Sequence, residues 1–169
     1  MSTEQTATVE GVAESSALLE KLRAQRRHVV ATLDGLSNVQ LRTAVDPMTW
    51  APIAVLHHLA LDVERWWFQA IVANDARALG YFEANPGGAW SVPEGTDVFS
   101  LYQSECEKSD DIISAADLAT TPAAWPEFLG PTQTIGQILL HVTVETATHA
   151  GQLDIVREML DGRQYRVLN

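Results

Sequence analysis

Proline sets the outline of this chain before any other residue type does. All seven prolines fall at Pro47, Pro52, Pro86, Pro93, Pro122, Pro126 and Pro131. A proline inside an α-helix removes an amide donor and crowds the turn before it, so helices must lie between these positions. The proline-free stretches carry apolar residues at helical spacing. Residues 15–34 hold Leu18, Leu22, Val29, Val30 and Leu33 in one stripe that Gly35 ends, and residues 37–42 read as a further short turn. From Pro52, a favoured first-turn residue, a second helix is predicted to about residue 79, with Leu56, Leu59, Val63, Trp67 and Ile71 facing inward. Residues 80–95 read as a loop. A third helix is expected from an Asp97 cap to about residue 116, and residues 120–131 form a second loop. A fourth begins after Thr134 and runs to Asp161, where Gly162 suits a left-handed stop. Four long amphipathic helices, weak strand signals and no internal repeat predict an all-α four-helix bundle. The expected division is a flexible polar tail over residues 1–14 and one domain over 15–169.

Composition narrows the partners. A net charge of -11 argues against affinity for nucleic acid or an anionic membrane surface. The run Lys21, Arg23, Arg26 and Arg27 reads as one solvated helix face. The N-terminus lacks the apolar core of a secretory signal, and no apolar run approaches a bilayer span. A single cysteine, Cys106, cannot form an internal disulfide, so a reducing cytoplasm is the expected compartment. Its neighbours Glu105 and Glu107 disfavour the thiolate and with it a nucleophilic role.

Four of the five histidines cluster in two helical segments, His57-His58 and His141 to His149. On the fourth helix His141, Glu145 and His149 stand four residues apart, so each neighbouring pair shares a face. His141 and His149 lie about 12 Å apart along the axis and cannot readily serve one ion together. The spacing leaves either His141/Glu145 or Glu145/His149 as a ligand pair. On the second helix His57 and His58 point about 100° apart, and only one can face the bundle interior at a given spot. His58 stands four residues before Asp62, a carboxylate able to accept the second ring proton of a metal-bound imidazole. Three such ligands with an open position would make a catalytic metal centre. A helix-stabilising Glu-His pair worth only about 0.3–0.5 kcal/mol has the same spacing.

The segments Trp50-Ala-Pro-Ile-Ala-Val-Leu-His57-His58-Leu-Ala and His141-Val-Thr-Val-Glu145-Thr-Ala-Thr-His149-Ala-Gly-Gln152 resemble the DinB superfamily, in particular its mycothiol-transferase-like branch. The resemblance spans nearly the whole chain. It implies an up-down-down-up four-helix bundle holding a divalent metal, zinc or nickel, through one side chain of the second helix and two of the last. It carries the ligand roles onto His58, Glu145 and His149. Many superfamily members have histidine where this chain has Glu145, which instead resembles the His/Glu/His set of mycothiol-dependent maleylpyruvate isomerases. The C-terminal domain of those isomerases is missing, so their substrate does not carry over. His141, Gln152 and Arg157 are then candidate contacts for thiol or substrate, and Asp62 a support for His58. The function so implied is activation of a low-molecular-weight thiol for S-transfer or conjugation to a small electrophile, with a homodimer among the possible assemblies. A non-catalytic, stress-associated metal-binding bundle and a metal-dependent hydrolase are the competing readings.

Overall fold

The computed structural model describes residues 3–165. Helix α1 spans Thr3–Leu33, α2 Asn38–Arg42, α3 Pro52–His58, α4 Ala76–Ala84, α5 Val98–Ala115 and α6 Ile135–Asp161. Between α3 and α4 the chain continues without a break as a π-helix, Leu59–Val72, and a single 3-10 turn occupies Glu127–Leu129. Among the described residues there is no strand. The architecture is all-helical, as the apolar spacing between the prolines predicted. No described helix is long and apolar enough to cross a membrane.

Local signals explain most of the boundaries. Ser37 and Thr134 each close a capping box, with Gln40 and Gln137 returning the bond, and Asp97 accepts from the Ser100 amide. Pro52 opens α3, and Gly162 ends α6 at a φ of 74°. Two boundaries differ from expectation. The tail expected over 1–14 lies outside the described residues only at Met1 and Ser2; from Thr3 the chain is already part of α1. The second long helix stops at Val72 rather than near residue 79, because Asn74 adopts a φ of 51° and Asp75 caps a new helix through the Arg77 and Ala78 amides.

Helix α1 packs along α6, and the π-helix packs along α5. Leu22, Leu33, Phe68, Tyr102, Leu139 and Leu153 fill the space between them. The basic run on α1 is not uniformly solvated. Arg26 is buried and meets the fully buried Glu64 in a two-pronged ion pair, Nε to Oε1 at 2.7 Å and Nη2 to Oε2 at 2.6 Å, with Asp110 as a second partner. Paired and hydrogen-bonded, the charge survives burial that a lone arginine could not. Also on the π-helix, Arg65 and, about one turn further, Gln69 hold the buried Glu105 of α5.

The winding of the π-helix decides what faces the site. Its hydrogen bonds reach one residue further back than in an α-helix, as from the Ala73 amide to the Phe68 carbonyl. Each residue then turns about 82° rather than about 100°. Over the nine residues from His58 to Trp67, α winding would put the two on opposite sides. The wider winding returns them to one side, within an arc of about 80° that also holds Asp62 and Trp66. Trp67, expected in the buried stripe, is instead half-buried beside His141.

Candidate metal centre

His58 ends α3, while Glu145 and His149 sit one turn apart on α6. The structure brings these three together: each offers a ligand atom, and the three atoms lie within 4.8 Å of one another. His58 Nε2 is 3.6 Å from Glu145 Oε1. Two ligands about 2.1 Å from one ion in tetrahedral geometry stand about 3.4 Å apart, so this edge of the site already has close to the spacing an ion requires.

The far side of each imidazole is engaged. His58 Nδ1 donates to Asp62 Oδ2 at 2.8 Å, and His149 Nδ1 donates to Gln152 Oε1 at 2.9 Å. These bonds fix the rings and leave both Nε2 atoms for the cluster. Asp62 is held in turn by the Ala89 amide at 2.9 Å. The loop approaches this closely because Gly88 has a φ of 70° and no side chain, and a Cβ there would stand 3.2 Å from Asp62 Oδ2. The Ala89 carbonyl accepts from His57 Nδ1 at 2.6 Å, so His57 is buried against the loop and takes no part in the cluster. Pinned by both bonds, the loop lays the Trp90 ring over His58, centroids 4.4 Å apart and 18° from parallel.

The charges respond to one another. Burial opposes charge on His58, but hydrogen bonds to Asp62 and Glu145 outweigh it and raise its pKa to about 9. Burial pushes Glu145 upward, and the neighbouring His58, His141 and His149 more than reverse this, leaving its pKa lowered. The pKa of His149 is lowered by burial and by its proximity to His58. Two imidazoles and one carboxylate whose ligand atoms gather this closely are a donor set suited to zinc or a similar divalent ion, which would take the place of the His58 Nε2 proton.

The remaining candidates separate by position. His141 adjoins the cluster, with Nε2 3.2 Å from Glu145 Oε2 and the edge of Trp67 against its ring. Gln152 reaches the cluster through His149. The structure does not bring Arg157 there. Its buried guanidinium donates to the carbonyls of Thr32 and Asp34 at 2.6 and 2.7 Å and to Asp161, tying α6 to the end of α1. His28 is occupied by Asp154 at 2.9 Å. Burial and the nearby Glu64 push the Cys106 thiol far up, which leaves it without thiolate character at neutral pH. Sequence reasoning missed the clasp of Ala89 by His57 and Asp62, since a loop has no periodicity to read.

A search among curated proteins returned no match. The chain does match a family model described as mycothiol-S-transferase, over residues 17–162. That interval contains α2 to α6, the second half of α1 and every residue of the cluster, and the chain belongs to the mycothiol-S-transferase family.

Proposed function

We propose that the chain is a metal-dependent S-transferase in which His58, Glu145 and His149 hold a divalent ion, with zinc the best fit, and that its co-substrate is a mycothiol-like thiol. The observation that carries this reading is the convergence of the three ligand atoms within 4.8 Å, in a chain whose family is described as a thiol transferase. A bound ion with an open position would stabilise an entering thiol as its thiolate, the nucleophilic form.

The chain's own groups have separable tasks. Asp62 and Gln152 hold the two imidazoles by their Nδ1 protons. Glu145 supplies one negative charge, so the loaded centre keeps about one unit of positive charge. Trp90 covers one face of His58 and excludes water from it. In the transfer, sulfur bonds to the electrophilic carbon. The displaced electron pair leaves with a leaving group or, in an addition, is neutralised by a proton. His141, largely exposed and beside Glu145, is the residue placed to exchange that proton. A cytoplasmic location accords with the use of a small reduced thiol.

The test is to load the purified chain with zinc and supply mycothiol, glutathione or bacillithiol together with iodoacetamide as a model electrophile. Mycothiol thioether formation faster than the spontaneous alkylation, with the excess rate lost in His149→Ala, supports the reading. Metal binding without turnover would leave a non-catalytic bundle, and hydrolysis without thiol would make the chain a hydrolase.

A further inference from the structure

Beside the cluster lies a hollow of about 380 Å³, lined by Asp62, Trp66, Trp67, His141, Val144 and Glu145. Its size is at the lower end of the range for small-molecule sites. We propose that this hollow seats a planar aromatic ring carried by the electrophile, a proposal that rests on the S-transferase reading and names its substrate class.

The walls are aromatic and held in place. Trp66 meets Phe82 edge to face at 4.8 Å and lies 6.3 Å from Phe128, 27° from parallel. Trp67 meets the His141 ring at 4.8 Å and has Trp125 6.5 Å away. Both indoles remain half-buried although their neighbours fix them, and Val144 is 57% exposed on the facing helix. Large apolar surfaces left open in a concave site gain most from a flat ring, by burial and by stacking.

The carboxylates that close the hollow toward the cluster are engaged there: Asp62 Oδ2 with His58 and the Ala89 amide, and Glu145 with His58 and His141. From Trp67 the contacts run through His141 and Glu145 to His58, so a ring in the hollow presents its substituents beside the centre.

Indole, titrated calorimetrically into the full chain with and without zinc, tests this. Saturable binding is expected in both states and should weaken about tenfold in Trp67→Leu and in Val144→Gln. It should be unchanged in Ile155→Gln, an exposed α6 residue outside the hollow. Val144 is exposed, so its replacement keeps the test valid even where Trp67→Leu fails to fold. No saturable binding, equal binding in Val144→Gln, or displacement of indole by myo-inositol at lower concentration would each overturn the proposal. Conjugation of mycothiol to iodoacetamide above the spontaneous rate without indole binding overturns only the ring site. Indole binding with no conjugation above the spontaneous rate overturns the S-transferase reading and the electrophile's role with it.

Discussion

His58 Nδ1 lies 2.8 Å from Asp62 Oδ2, and the same oxygen receives the Ala89 amide. Asp62 therefore orients the imidazole and anchors the loop that carries Trp90. Asp62→Asn keeps the shape but removes the charge that favours the correct ring tautomer. Divalent metal affinity, measured by competition with a chromogenic chelator, is expected to fall roughly 10–100-fold while the chain stays folded. Unchanged affinity would show that the His58 ring is fixed by packing under Trp90 instead.

The adjacent histidines should separate cleanly. His58→Ala, Glu145→Ala and His149→Ala are expected to lose bound metal on elemental analysis. His57→Ala should keep it and instead lower stability by about 1–3 kcal/mol in urea unfolding, because the Ala89 carbonyl loses its partner. Metal loss in His57→Ala with retention in His58→Ala would reverse the ligand assignment.

The ion pair between Arg26 and Glu64 lies on the opposite side of the π-helix from the cluster and belongs to the core. Glu64→Ala leaves a buried guanidinium with only Asp110 as partner. A loss of about 3–5 kcal/mol in denaturant unfolding is expected. Metal content per folded molecule should not change.

Glu105 provides a pH dependence independent of the metal site. Burial raises its pKa, but hydrogen bonds from Arg65, Lys108 and Gln69 overcome this and bring it down to about 2. A carboxylate depressed in the folded state stabilises fully above its unfolded pKa of about 4.5 and loses that contribution as pH falls toward 2. Between those limits the chain should lose on the order of 2 kcal/mol through this group. Glu105→Gln should flatten that part of the stability profile, as followed by circular dichroism.

What was legible in the sequence depended on whether its cause was local. Ser37, Asp97, Thr134 and Gly162 act within one helical turn, and the boundaries they set were readable. Glu145 and His149 likewise share a face by spacing alone. The match of His58 to that pair needed the family resemblance, because no local rule relates residues almost ninety positions apart. Arg26 was misread as solvated because its partner Glu64 comes from another helix. Trp67 was misplaced because the wide winding of Leu59–Val72 is a property of tertiary packing, invisible to a count made at α-helical spacing.

That winding separates two kinds of change. His58 stands just before the π-helix, on α3, whereas Trp66 and Trp67 stand well inside it. Removing or adding one residue between Asp62 and Trp66 would rotate everything downstream by about 80–100° while leaving His58 and Asp62 in register. A single length change would thus exchange the aromatic wall for another set of side chains while His58 and Asp62 kept their places: one helix carries a fixed hub and an adjustable dial.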